Sequence, residues 1–230
     1  MENNLIIYGR NAVTEAIRAG KTINTVYVQK GGKGFHAAGV VVKEVTAQKL
    51  DSLSEGNRHG GVVAELSAAE YSTVSEILAA SDKPFILILD EIEDPHNLGA
   101  LIRTAEAAGV DGVIIPKRRS AAITGAVVAA SAGAVLHMKV ARVTNLVDTI
   151  KVLKKHNVWI YGADMDGTPY TKTDFGTAAA LVIGSEGHGL GKLVRENCDV
   201  IVSIPMHGKI NSLNASVSGG ILLFAMRGGG

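Results

Sequence analysis

Three short stretches hold side chains able to do chemistry. "DPHNLGALIRTAEAAG" (94–109) carries Asn97 and Arg103 behind a proline. "GSEGHGLGK" (184–192) sets Glu186 among glycines. "KINSLNASVSGG" (209–220) holds two Asn and three Ser, with Lys209 its only charge, and runs straight into the apolar "ILLFAMR". The last stretch is open to four readings: a nucleophile, a glycan acceptor, a helix cap or a ligand loop.

The alternatives narrow by what each requires. A serine hydrolase needs a G-x-S-x-G elbow, which is missing. Asn214-Ala215-Ser216 is formally a glycosylation sequon, but the start "MENNLIIYGR" shows no export signal. Ser212, Asn214 and Ser216 could each cap the final helix; capping explains one of them, not three beside Asn211 and Ser218. His207 is the one nearby base, and a structural or incidental role fits it better than catalysis. The glycine-rich loop fails both phosphate patterns. Glu186 stands where a Walker loop needs its first glycine, Leu193 stands where it needs Ser or Thr, and the glycine spacing is not G-x-G-x-x-G. A carboxylate there suits a neutral or cationic ligand, or a capping role. In the first stretch Pro95 forces the chain out of helix before it, so Asn97 is expected to cap the helix that follows. Leu98, Leu101, Ile102, Ala105 and Ala108 make one helical stripe. Arg103 lies roughly 160° from its middle, free for solvent or an anionic ligand.

These stretches must sit on a scaffold. Hydrophobic residues make up 47% and aromatics only 4%. The apolar content is thus mostly aliphatic, as in buried parallel strands. Strand and helix patterns alternate from "FILILDEIEDPHN" onward, which predicts an α/β fold with a mostly parallel sheet covered on both faces. Ligands of such sheets bind at the carboxyl ends of strands, where all three stretches fall. The first third reads as a smaller α/β unit: a helix at "NAVTEAIRAG" with Asn11 as its cap, strands at "INTVYV", "GVVVKEV" and "GGVVAEL", and a loop over 31–39. The expected division is 1–70, a polar linker 71–83, and 84–230. One cysteine, Cys198, excludes an intrachain disulfide and fits a cytosolic protein. No apolar run approaches the roughly 20 residues of a membrane span. The net charge of +1 neither suggests nor excludes nucleic acid, since binding needs a basic patch rather than a basic total. The failed G-x-G-x-x-G argues against a nicotinamide dehydrogenase.

Taken together, the three stretches resemble motifs 1, 2 and 3 of the SpoU (TrmH) branch of the SPOUT RNA methyltransferases, in order and spacing. "GRNAVTEAI" and "NRHGGVVAEL" resemble the L30e-like substrate-binding domain that precedes some of these catalytic domains. One departure stands out: between "VYVQK" and "GVVVKEV" that domain carries a full helix, and here "GGKGFHAAG" is too short for one.

The resemblance implies a catalytic domain with a C-terminal trefoil knot, S-adenosylmethionine (AdoMet) as cofactor, a homodimer, no metal, and methylation of a ribose 2′-hydroxyl. The implied substrate is 23S rRNA, at a guanosine of the peptidyl-transferase P loop; tRNA is the alternative, and a non-catalytic RNA-binding assembly protein of the same fold is another. Aligned with the motifs, Asn97, Arg103, Glu186, Ser212 and Asn214 are the catalytic set. Gly184, Ile204 and Leu213, with Glu186 and Asn214, are the cofactor contacts. Asn97, Ser212 and Asn214 would orient the loops by hydrogen bonds. Glu186 would fix motif 2 against motif 3. Arg103 would grip the target phosphate and stabilise a developing alkoxide, since a guanidinium is a very poor base.

Overall fold

The computed structural model describes residues 4–36, 39–176, 178–210 and 212–228. In chain order the first elements are β1 (Leu5–Tyr8), α1 (Arg10–Arg18), β2 (Ile23–Gln29), β3 (Val42–Val45), α2 (Ala47–Leu53) and β4 (Val62–Leu66). The strands form one sheet in the order β1-β4-β2-β3; β4 runs antiparallel to β1 and β2, and β2 runs parallel to β3. Asn11 does not cap α1. The turn is made by Gly9 at φ 93, a conformation open to glycine, and Asn11 lies within the first turn of the helix. The β2–β3 crossover contains no helix among its described residues. Arg10 fastens it instead: its guanidinium donates to the carbonyls of Lys33 (2.8 Å) and Gly34 (2.9 Å) and lies over the buried Phe35 ring.

The chain divides into two compact units, Met1–Glu70 with Ala122–His137, and Tyr71–Ala121 with Met138–Gly230. Two details differ from the sequence expectation. Residues 71–83 are built into the second unit: the Ser72 N–H donates to the Val140 carbonyl, and a capping box of Thr73 and Glu76 opens the short helix α3 (Val74–Leu78). Ile77 on that helix is fully buried under Gly112, where a Cβ would lie 2.6 Å from it. Residues 122–137 pack with the first unit rather than staying with the second. The reason is close backbone approach: a Cβ on Gly125 would collide with the Ile6 carbonyl, and His137 meets Glu15 at 3.1 Å.

The second unit continues with β5 (Phe85–Leu89), α4 (Pro95–Ala107) and β6 (Gly112–Pro116). After α5 (Gly125–Ala130), which belongs to the first unit, come β7 (Val140–Val143), α6 (Leu146–Lys155), β8 (Trp159–Pro169), β9 (Ala179–Ile183), α7 (Lys192–Glu196), β10 (Val200–Ser203) and α8 (Ala215–Gly228). The six strands are all parallel, in the order β10-β8-β9-β5-β6-β7. Every residue of β5 and β9 is buried, as the unbroken runs "FILIL" and "AALVI" require of strands covered on both faces. Ile86, Ile88, Ala180 and Val182 face a core shared with α3, α6 and α7. The alternate residue Ile183 meets α8, which crosses α4 so closely that a Cβ on Gly219 would strike Leu101. The chain thus leaves the edge strand β10 and returns to α4 and β9 through α8, a path consistent with a trefoil knot.

Candidate active site at the carboxyl ends of the strands

A cavity of about 380 Å³ opens beside the carboxyl ends of β8, β9 and β10. Three loops and α8 shape it. The first loop is an irregularity in β8: residues 159–162 pair with β9, and pairing with β10 shifts register between Ile201 and Val202. Ala163, Asp164 and Met165 are thereby turned into the cavity. Gly167 permits this, because a Cβ there would sit 2.6 Å from the Ile201 backbone, and the Ser203 hydroxyl donates to the Gly167 carbonyl.

The second loop follows β9. Ser185 and Gly189 exchange backbone hydrogen bonds of 3.1 and 2.9 Å, closing a tight turn. Gly189 takes φ 64, and Gly184 lies against it with no room for a Cβ. The far end is held by Asp90, at the end of β5, whose Oδ2 accepts the Gly191 N–H at 2.8 Å. Burial pushes the Asp90 carboxyl above its ordinary range, and the Gly191 N–H partly offsets this. The third loop, after β10, brings Ile204, Met206, Ser212 and Leu213 to the cavity wall. Asn211 lies outside the described residues.

At the mouth, three predicted residues meet. Glu186 Oε1 accepts the Asn97 side-chain N–H at 2.9 Å and that of Asn214 as well. Asn214 also donates to Asn97 Oδ1 at 3.0 Å. The orientation of Asn214 is set from its other side. Its Oδ1 accepts the Ser216 and Val217 N–H groups and the Ser216 hydroxyl, so it caps α8, and only its amide nitrogen is left to face Glu186. One side chain therefore starts the last helix and ties it to the other two motifs. Asn97 is not a cap as the sequence suggested. Asp94 is, with Oδ1 accepting the His96 N–H at 2.9 Å and Pro95 following as the first helical residue. The competition was local: Asp94 precedes the proline that Asn97 follows, and the cap must come first. Asn97 is freed for the cluster.

Of the other expected residues, Gly184, Ile204, Ser212 and Leu213 all line the cavity. Arg103 does not join the cluster. It is exposed on α4 and has no hydrogen-bond or ion-pair partner among the described residues. Sequence reasoning missed Asp164. Its carboxylate accepts from Arg195 Nε at 3.1 Å, while Arg195 Nη2 donates to Asp166 at 2.6 Å, so α7 braces the β8 loop. The signal was two aspartates in "GADMDG" directly after an apolar strand. Burial pushes the Cys198 thiol up to about 12, which leaves it protonated and inert. Among the described residues no group of His, Cys, Asp and Glu could hold a metal ion, and no helix is long and apolar enough to cross a membrane.

Known proteins resemble this chain in sequence and fold. Residues 84–224 match the SpoU rRNA methylase family, and residues 6–72 match a family described as RNA 2′-O ribose methyltransferase substrate binding. A Staphylococcus saprophyticus protein, named provisionally as a TrmH family tRNA/rRNA methyltransferase, is 46% identical over 96% of this chain and 94% of its own length. A Bacillus subtilis protein of the same provisional name is 40% identical over 95% of this chain and 93% of its own. The solved structure of an AdoMet-bound rRNA methyltransferase from Sinorhizobium meliloti superposes with a TM-score of 0.82 at 25% identity, covering 97% of this chain and 87% of that one. The chain belongs to the SpoU (TrmH) family of RNA methyltransferases.

Proposed function

We propose that this chain transfers a methyl group from AdoMet to a ribose 2′-hydroxyl of 23S rRNA, at a guanosine of the peptidyl-transferase P loop. The observation that carries the reading is the Asn97–Glu186–Asn214 cluster at the rim of the 380 Å³ cavity. The cavity suits AdoMet by its donor set. Gly187 and Gly189 leave the main chain of the turn open to a ligand, and Asp164 and Glu186 among the lining residues suit one that carries cationic groups. Gly184, Ile204 and Leu213 would hold it largely through backbone groups. When bound, AdoMet supplies an already activated methyl, so the protein's task is to place and polarise a weakly acidic hydroxyl.

That task divides among the residues. Glu186, Asn97 and Asn214 lock motifs 1, 2 and 3 in one geometry, and Ser212 stands beside Leu213 on the cavity wall. Arg103, exposed and unpaired among the described residues, meets the RNA: its guanidinium grips a phosphate near the target ribose and stabilises the oxygen as it takes the methyl group and its proton passes to water. The match of residues 6–72 to a substrate-binding family supports an RNA-docking role for the first unit. Val217 and Phe224, two turns apart on α8, are about half exposed, and a second copy of the chain is the occupant that this reading assigns to them.

The test is methyl transfer in vitro. Labelled AdoMet and unmodified 23S rRNA transcript should yield 2′-O-methylguanosine on nucleoside digestion. Arg103→Lys should keep part of the rate, while Arg103→Ala falls by two orders of magnitude or about that. Equal loss in the two variants contradicts an electrostatic role for Arg103. Transfer to a tRNA transcript in place of 23S rRNA moves the substrate to the alternative class.

A further inference from the structure

A second groove, of about 480 Å³, runs along the carboxyl ends of β6 and β7 toward the start of α7. Arg118, Arg119 and Lys192 line it, with Asn145 at the start of α6 and the acidic residues Asp90 and Glu91. Its charges can be resolved one by one. Asp90 is buried and bound to the Gly191 N–H. Glu91 is matched by Arg119 at 2.8 Å. The amide oxygen of Asn145 occupies the Val147 and Asp148 N–H groups, so the helix end is already satisfied. Arg118 and Lys192 remain, both exposed, with no hydrogen-bond or ion-pair partner among the described residues.

The groove adjoins a cleft beside the proposed methyl-transfer site. Glu91 also lines this cleft, formed with Glu93, Asp94, Asn97 and the Ser185–His188 turn, and that turn in turn borders the AdoMet cavity. Glu91, paired with Arg119, is the residue that lines both the groove and the cleft. Both partners hold left-handed backbone, at φ 59 and φ 53, which non-glycine residues adopt at some cost.

Resting on the reading of the site as an RNA 2′-O-methyltransferase, we propose that this groove seats the sugar–phosphate backbone of the RNA beside the target nucleotide, with Arg118 and Lys192 as its phosphate contacts. A polyanion must leave the cleft in some direction once one ribose is seated against Asn97 and Glu186. The cleft itself presents Glu91, Glu93, Asp94 and Glu186, which repel phosphate. The groove beyond the Glu91–Arg119 pair offers unmatched cations. Phosphate contacts of this kind position RNA without reading its sequence.

The test uses the full chain with Arg118→Gln and Lys192→Gln combined, assayed on unmodified 23S rRNA transcript over a range of KCl. The KM for RNA should rise on the order of tenfold, and the log–log salt slope should fall by about 1.4, roughly 0.7 for each lost contact on single-stranded RNA. The AdoMet dissociation constant, and kcat at saturating RNA, should stay within about twofold, because neither residue borders that cavity. The charge-preserving pair Arg118→Lys with Lys192→Arg should restore the KM. Lys155→Gln, exposed in the last turn of α6, is the control for loss of any surface cation. An unchanged KM and salt slope overturns the proposal. So does an equal effect in the control, or a parallel fall in AdoMet affinity. A wild-type protein that methylates neither 23S rRNA nor tRNA overturns the reading of the site, and this proposal with it.

Discussion

Glu186→Ala is expected to lower kcat for methyl transfer by about 10²- to 10³-fold, while the folded protein remains close to wild type in stability. The activity loss follows from what Glu186 joins. A single oxygen, Oε1, accepts the side-chain amides of both Asn97 and Asn214, and these sit at the head of α4 and at the cap of α8. Without it motif 2 loses its tie to motifs 1 and 3, which keep only the Asn214–Asn97 bond between them, and an ångström of misplacement in a reacting geometry costs about 10²-fold. Stability changes little because Glu186 is exposed and water replaces the lost partners; each such bond is worth about 1 kcal/mol net. Glu186→Gln keeps an acceptor oxygen but not its charge, so it should fall between the two. Steady-state kinetics beside thermal unfolding check this order. An alanine variant with near-native kcat would remove the cluster from the centre of the account.

The second large effect is on cofactor affinity. At Gly184 a Cβ would drive into the Gly189 carbonyl and lie 2.5 Å from the Leu190 nitrogen. These are backbone atoms, fixed by the Ser185–Gly189 hydrogen bonds and by the Asp90 anchor at Gly191, so no side chain can swing aside. Gly184→Ala must displace the loop. Overpacking of this kind costs about 1–3 kcal/mol, which on binding is a five- to 150-fold rise in dissociation constant. Titration calorimetry with AdoMet should show that loss. Gly208→Ala, where no atom lies within 4 Å of the added Cβ, should bind as wild type. Equal affinity in the Gly184 and Gly208 variants would contradict the placement of the cofactor against this turn.

Sequence alone told much of this. The unbroken runs at β5 and β9 announced strands buried on both faces, and alternation with helices announced a parallel sheet. Asn97, Glu186 and Asn214 were legible because each stands at a strand-to-loop junction and because the resemblance joins three separate stretches. Legibility ended where partners are distant in the chain. Nothing near Asp164 names Arg195, and nothing near Asp90 names Gly191; both pairs exist only once the sheet has brought its carboxyl ends together. The return of residues 122–137 to the first unit was hidden for a similar reason. "GAVVAASAGAV" is apolar and small throughout, so it could pack on any surface, and the contact that decides is Gly125 against the backbone of β1. The Asn97 expectation failed locally: two residues could cap one helix, and the pattern did not rank Asp94 above Asn97.

The most direct measurement is a map of ribose methylation in rRNA and tRNA from cells with the gene and from cells without it. The account predicts the loss of one 2′-O-methylguanosine in 23S rRNA, restored by the wild-type chain and not by Glu186→Ala. Unchanged rRNA ribose methylation in cells lacking the gene would contradict it.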